Sequence, residues 1–151
     1  MARTCIFCGA SANSREDVWP CWLTSHFIAP GTMEVGIGHH GEPGVRVEPL
    51  KKAAEVAREM VKTVLDDHDL PSGAEVAVLI SGLGATPTNE LYILNDTVDD
   101  EVHARGLTIA RAYVGNFFTS LEMVGATLTI MALDDELKQL LAVEAACPAP
   151  L

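Results

Sequence analysis

The sequence predicts an α/β fold in which a mixed or mostly parallel sheet, of about four to six strands, is flanked by helices. From Met33 onward, short apolar runs alternate with amphipathic helical patterns, the order expected of a layered α/β structure. Stretches rich in glycine and proline separate these patterns, as loops between strands and helices do. A chain of 151 residues can bury one core of ordinary size. We therefore expect one main domain, spanning residues 33–151.

The first half of this domain is predicted to begin with a short apolar strand. We expect that strand at Met33 to Ile37, followed by the GHHGEPG loop. A helix with Pro49 at its start is predicted next, with one apolar stripe. The stripe consists of Leu50, Ala54, Ala57, Met60, Val61 and Val64. Val76 to Ile80 is a continuous apolar run, typical of a strand covered on both faces, and it leads into the loop SGLGATP.

The second half contains two helices and two strands. A helix is predicted from Thr88 or Asn89 to a stop at Gly106, because glycine commonly lies just past a helix end. Strands follow at Leu107 to Val114 and at Ala126 to Leu133, separated by a glycine-bounded loop. The last pattern, DDELKQLLAVEA, indicates a short helix with acidic residues at its N-terminal end.

Charge and hydropathy argue against nucleic-acid-binding and membrane functions. The net charge of -11 repels phosphate backbones, and the ten lysines and arginines are scattered, so we expect no nucleic-acid partner. No apolar run approaches the ~20 residues that cross a bilayer, and the N-terminus lacks a secretory apolar region, so we expect no membrane partner and a cytoplasmic location. The four cysteines should then stay reduced.

The GHHGEPG loop is the most chemically suggestive part of the chain. Glycines 36, 38, 41 and 44 remove side chains beside His39 and His40, so a small ligand could approach an imidazole closely. A neutral imidazole can act as a base, a metal ligand or a nucleophile, and Glu42 could orient the ring or bind a substrate hydroxyl. The alternative is a tight turn in which one histidine caps backbone groups. Residue type alone leaves both interpretations open.

The SGLGATP loop lies between a predicted strand and a predicted helix, where open α/β sheets usually bind ligands. The helix N-terminus there could favour an anionic phosphate. In the structural alternative, Gly82 and Gly84 shape a tight turn, and Thr86 or Thr88 caps the helix.

Three motifs in order carry a family resemblance: EVGIGHHGEPG, ISGLGATPTNELYIL and YVGNFFTSLEMVGATLTIMALDDELKQLL. Together they resemble the C-terminal half of the substrate-binding subunit or domain of dihydroxyacetone kinases. The resemblance covers Met33 to Pro148. It implies an α/β fold like one half of that domain, a role in glycerone (dihydroxyacetone) phosphorylation and a tendency to form homo-oligomers.

The resemblance also implies site residues. In the family, the histidine before GEPG binds dihydroxyacetone covalently as a hemiaminal, and here that position is His40. His39, Gly41 and Glu42 would complete the substrate-binding loop for dihydroxyacetone or a related short ketose. The family often has an apolar residue at the position of His39, and many members have two asparagines where this chain has Ser81-Gly82. Substrate preference therefore stays open.

The family's phosphoryl donor lies elsewhere. The resemblance implies ATP with magnesium, or a phosphoprotein, on a nucleotide-bearing partner domain or subunit, and the predicted core should bind no cofactor directly. The family's N-terminal half, with further substrate contacts and an acidic general base, has no counterpart here. The chain is thus expected to be part of a phosphotransferase that is incomplete alone. The alternatives are an inactive ketose-binding or regulatory module and a zinc-dependent interaction protein.

Residues 1–32 are expected to form an N-terminal appendage. Cys5, Cys8, Cys21 and His26 have spacings that could make a tetrahedral zinc site. The run SREDVWPCWL also resembles a Cys/His segment of HNH-type nucleases, with Asp17 at a position where histidine is expected. The alternative is that these cysteines are reduced bystanders on a flanking arm.

Overall fold

The computed structural model describes residues 30–38, 43–119 and 123–144. The chain divides into two compact units, one ending at Lys51 and the other beginning at Lys52. The sequence predicts a boundary between residues 32 and 33. Because residues 1–32 lie almost wholly outside the described part of the chain, that boundary stays a prediction.

A two-stranded antiparallel hairpin is the described part of the first unit. Strand β1 (Thr32–Val35) pairs with β2 (Arg46–Pro49), and the outermost pairs are Thr32 with Pro49 and Val35 with Arg46. The backbone N–H of Leu50 donates to the carbonyl of Gly31 at 2.8 Å, which closes the open end. The sequence did not predict β2, and Pro49 ends this strand, so its predicted place at the start of a helix was wrong.

The second unit is built on a three-stranded mixed sheet in the order β4-β3-β5. The central strand β3 (Glu75–Gly82) runs parallel to β4 (Thr108–Gly115) and antiparallel to β5 (Ala126–Ala132). The α/β class and the mixed sheet are confirmed. The described strands are divided between this sheet and the hairpin, so the single sheet of four to six strands is not what these residues form.

Among the described residues, three helices accompany the sheet: α1 (Ala53–Asp66), α2 (Thr88–Ala104) and α3 (Asp135–Ala142). Helix α1 begins where the Glu55 side chain accepts a hydrogen bond from the backbone N–H of Lys52 at 3.0 Å. Leu50 therefore precedes the helix and is exposed, which corrects its assignment to the apolar stripe. Helix α2 ends before Gly106 as predicted, and that glycine has a φ of +76°.

The core lies between one face of the sheet and helices α1 and α2. From β3, alternate side chains enter it, as the two-residue period of a strand requires. Its buried members are Ala57, Val61, Leu65, Val76, Val78, Ile80, Leu91, Leu94, Val98, Val102 and Leu107. The next residue along β3 after Ile80 is Ser81, which therefore points to the opposite face.

Helix α3 has no buried residue, and a charged contact ties it to the sheet. Lys138 Nζ lies 2.8 Å from a carboxylate oxygen of Asp135 and 2.7 Å from one of Glu75, at the start of β3. The hydrogen bond to Asp135, together with the one to Glu75, raises the pKa of Lys138 above its usual value. The two carboxylates therefore favour the charged form of this lysine.

Leu91→Ala should test the core. Leu91 is 1% exposed, so truncation removes buried methyl groups and leaves a cavity, at a cost of about 2–5 kcal/mol in the free energy of unfolding. The matched change Leu140→Ala, on a leucine that is 60% exposed, should cost less than about 0.5 kcal/mol. Urea denaturation followed by circular dichroism measures both. Equal losses in the two variants would contradict the proposed core.

Candidate functional site

The hairpin holds the two ends of the histidine-bearing loop close together. Beyond the Val35–Arg46 pair, the backbone N–H of Val45 donates to the carbonyl of Val35 at 2.8 Å. The backbone N–H of Gly44 donates to Glu34 Oε1 at 2.6 Å. A charged acceptor makes this a strong type of hydrogen bond. The sequence placed Glu34 in a strand but gave no sign that its carboxylate binds the loop.

Two glycines are needed where the hairpin closes the histidine-bearing loop. Gly36 has a φ of +78°, and a Cβ atom there would lie 2.9 Å from Val45 Cγ2. A Cβ atom on Gly44 would lie 2.4 Å from Glu34 Cγ, closer than such atoms approach. Gly36 and Gly44 thus serve the closure of the loop, apart from any ligand contact. His39, His40, Gly41 and Glu42 lie outside the described residues, so their roles stay predictions.

A second loop cluster forms where β3 and β4 end and β5 begins. Ser81 is fully buried there. Its Oγ accepts hydrogen bonds from the backbone N–H groups of Phe117 at 3.1 Å and Phe118 at 2.9 Å. The hydroxyl proton has two carbonyls in reach, Gly82 O at 3.2 Å and Phe118 O at 3.3 Å. One side chain therefore joins the end of β3 to the loop after β4.

Thr86 makes the corresponding link to the loop before β5. Its Oγ1 donates to the carbonyl of Gly125 and accepts from the backbone N–H of Gly125, both at 2.7 Å. The N-cap of α2 is Pro87, without a side-chain cap, and Thr88 is already the first helical residue. The alternative in which Thr86 or Thr88 caps the helix was therefore wrong, because the Thr86 hydroxyl is used across the loop.

The glycines of the SGLGATP loop make room for neighbours. A Cβ atom on Gly82 would lie 2.2 Å from Asn116 Oδ1 and 3.1 Å from Leu91 Cδ1. Gly84 has a φ of +123°, a backbone conformation that side chains disfavour, and it bridges to Met123. This geometry supports the structural interpretation of both glycines. Asn116 was missed by the sequence reasoning, since its contact with Gly82 is nonlocal.

The described residues on the outer surface of this cluster are uncharged. Asn116 is exposed, and Phe118 and Val124 are 55% and 79% exposed. Within the described parts of the three loops, residues 81–87, 115–119 and 123–125, no side chain is charged. Among the described residues of these loops, a phosphate would find backbone N–H groups, the Asn116 amide and the N-terminal end of α2, but no cationic side chain. The predicted phosphate-binding role of Gly82, Gly84 and Thr86 stays a prediction.

Among the described residues, no group of three or more histidine, cysteine, aspartate or glutamate side chains could hold a metal ion. Cys5, Cys8, Cys21 and His26 lie outside the described part of the chain, so the zinc site stays a prediction. In the part that is described, no helix has the length and apolar character needed to cross a bilayer.

Comparison with known proteins identifies the family. The Dak1 domain family matches residues 11–149, which is most of the chain, and the chain therefore belongs to this family. The match begins well before Met33, so it includes Cys21 and His26 of the predicted appendage. The dihydroxyacetone-kinase resemblance drawn from the three motifs is confirmed.

Two curated relatives show the level of similarity. The dihydroxyacetone-binding subunit DhaK of a PTS-dependent dihydroxyacetone kinase of Listeria innocua is 40% identical over 120 residues, covering 80% of this chain and 36% of the relative. A D-erythrulose kinase of Mycolicibacterium smegmatis is 40% identical over 122 residues, covering 81% of this chain and 21% of the relative. The chain thus spans about a third or less of the curated relatives' lengths.

Solved structures agree with the fold. The dihydroxyacetone kinase of C. freundii, in complex with AMP-PNP and Mg²⁺, matches 78% of this chain and 21% of its own, with a TM-score of 0.67 and 31% identity. A dihydroxyacetone kinase operon co-activator, DhaQ, matches 94% of this chain and 41% of its own, with a TM-score of 0.71 and 27% identity. A similar α/β arrangement therefore occurs in a kinase and in a co-activator.

Ser81→Ala should loosen the loop cluster. The substitution leaves the backbone N–H groups of Phe117 and Phe118 without their buried acceptor, which costs about 1–3 kcal/mol in the free energy of unfolding. Ser72→Ala removes the same hydroxyl from an exposed serine and should change stability by less than about 0.5 kcal/mol. Thermal and urea unfolding of both variants provides the measurement. A Ser81→Ala chain as stable as the wild type would show that the hydroxyl is dispensable.

Proposed function

We propose that this chain is the ketose-capturing component of a dihydroxyacetone-kinase-type phosphotransferase, with His40 as the residue that binds the carbonyl carbon. The observation that carries the proposal is the GHHGEPG loop in a chain of the Dak1 family. Its ends are closed by the Glu34–Gly44 hydrogen bond and by two sterically required glycines. Similarity to a dihydroxyacetone-binding subunit and to a D-erythrulose kinase supports short ketoses as the substrate class.

The proposed capture step is an addition to the ketone. The unprotonated ring nitrogen of His40 attacks the carbonyl carbon, and the electron pair of the C=O double bond moves to oxygen. The oxygen takes up a proton while the other ring nitrogen loses one, which gives a neutral hemiaminal. Glycerol has no carbonyl group, so it cannot form this bond. We propose that Glu42 orients the imidazole or a substrate hydroxyl and that His39, Gly41 and Glu42 line the loop.

The phosphoryl donor is proposed to come from a partner. The described loops at the sheet end carry no cationic side chain, and a transferred phosphoryl group needs charge neutralisation, usually by a metal ion with lysine or arginine. The names of similar proteins point to two donor types, a PTS-dependent system and a nucleotide with Mg²⁺. We propose that such a partner supplies the phosphoryl donor. We also propose that the general base comes from residues equivalent to the part of the relatives that this chain does not span.

A second candidate function is regulatory. The similarity to the co-activator DhaQ, which covers 94% of this chain, favours a module that senses a ketose without turning it over. Both candidates use the same loop. They differ in whether the bound ketose is ever phosphorylated.

His40→Ala should abolish ketone capture, and His68→Ala, at an exposed histidine outside the loop, is its matched control. Intact-protein mass spectrometry and NMR of carbonyl-labelled dihydroxyacetone should show a ketone-specific adduct in the wild type and in His68→Ala, none in His40→Ala, and none with glycerol. Circular dichroism should be unchanged in both variants. The same titration with erythrulose compares the two ketoses that the relatives' names suggest.

Phosphorus NMR then separates the two candidates. With a nucleotide-bearing dihydroxyacetone kinase subunit and ATP-Mg²⁺, or a phosphoprotein donor, a phosphorylated ketose supports the transferase. An adduct that persists unphosphorylated under both donors supports the regulatory module. Absence of any adduct in the wild-type chain at saturating ketone would contradict both.

A further inference from the structure

The hairpin contains a glutamate at a position that strand packing alone does not explain. Glu34 lies in β1 between Met33 and Val35, opposite Val47 of β2, and it is partly buried. Glutamate is less favoured in strands than β-branched and aromatic residues, which pack better on a pleated surface. Residues that conflict with the preference of their element are expected at functional sites. The contacts of the Glu34 carboxylate therefore indicate what this residue is for.

The hydrogen bond that Glu34 accepts lies beyond the end of the strand pairing. The last register pair joins Val35 to Arg46, and the backbone hydrogen bond from Val45 to Val35 extends the pairing by one residue. Gly44 is the next residue outward, and its backbone N–H donates to Glu34 Oε1 at 2.6 Å. The carboxylate thus supplies an acceptor where backbone pairing has ended. It fixes the first residue of the loop, in addition to the strands that backbone hydrogen bonds already hold.

Glu34 and Gly44 also fit each other sterically. A Cβ atom on residue 44 would lie 2.4 Å from Glu34 Cγ, 2.8 Å from Glu34 Oε1 and 2.8 Å from the carbonyl oxygen of Val35. The side chain of Glu34 therefore occupies the space that a side chain at position 44 would need. A hydrogen bond to a carboxylate is about twice as strong as one between neutral groups. Position 44 is thus held by both shape and charge.

We propose that Glu34 is a positioning residue for ketone capture: its carboxylate holds Gly44, four residues after His40 in the chain, and thereby restricts the segment that carries the histidine. This inference rests on the proposed role of His40. A protein whose binding-competent conformation is only partly populated binds its ligand more weakly, in proportion to that population. Glu34 raises the population by acting through Gly44, whereas His40 forms the bond to the ketose.

A positioning role and a purely structural role of Glu34 have different consequences for binding. If Glu34 only stabilised the fold, its removal would leave fewer folded molecules, and less adduct would form even at saturating ketone. If Glu34 positions the loop, every molecule still captures the ketone, but a higher ketone concentration is needed. The amount of adduct at saturation and the apparent Kd therefore separate the two roles.

Glu34→Leu removes the acceptor, and Glu34→Gln keeps an uncharged one. NMR titration with carbonyl-labelled dihydroxyacetone should give an apparent Kd that is about tenfold higher in Glu34→Leu, the effect of losing one charge-assisted hydrogen bond. In Glu34→Gln the increase should be smaller, and both variants should reach the wild-type amount of adduct at saturation. Glu48→Leu is the matched control, because Glu48 belongs to the same hairpin but binds Lys51 Nζ at 2.9 Å. This control should keep the wild-type apparent Kd.

Amide hydrogen exchange at Gly44 provides a readout that needs no ketose. The Gly44 amide should exchange slowly in the wild type and in Glu34→Gln and faster in Glu34→Leu, whereas the Val45 amide, held by Val35, should stay protected in all three. A wild-type apparent Kd in Glu34→Leu, or reduced adduct at saturation, would overturn the positioning role and leave capture by His40 intact. A wild-type chain that forms no adduct would overturn both.

Discussion

The structure of the second unit depends most on the central strand β3 and on the buried hydroxyl at its end. Strand β3 is hydrogen-bonded on both sides and supplies Val76, Val78 and Ile80 to the core. At its carboxyl end, Ser81 binds the backbone after β4. A buried amide without an acceptor costs about 1–3 kcal/mol in the free energy of unfolding. The hydroxyl of Ser81 therefore stabilises the position of the loop after β4. The core and the loop cluster therefore both depend on the position of β3.

Much of the fold could be predicted from the sequence because its signals are local. The apolar run at Val76–Ile80, the alternation after Ala126 and the glycine at 106 each predict an element within a few residues of its observed bounds. Strand β2 was missed, since RVEP is short and half charged and becomes a strand only through pairing with β1. Leu50 was misplaced because hydrophobic periodicity continues across the boundary between the hairpin and α1.

The candidate site was predictable in part. The three motifs were sufficient to identify the family, and the glycines suggested a tight loop. The uses of those glycines required coordinates: Gly44 faces Glu34, ten residues away, and Gly82 faces Asn116 on another loop. Thr86 binds Gly125 across 39 residues, a contact that no local pattern contains, and the local capping rule therefore gave the wrong role. Nonlocal hydrogen bonds were the main source of error.

The most direct test of this account is amide hydrogen exchange at Phe117 and Phe118, followed by NMR in the wild-type chain. Backbone amides held by a buried acceptor at the end of the central strand should exchange as slowly as those of β3, although Phe118 itself is 55% exposed. That result would show that the loop cluster opens only with the core. Exchange at the rate of exposed loop amides would contradict it, since Ser81 would then not hold the loops in place.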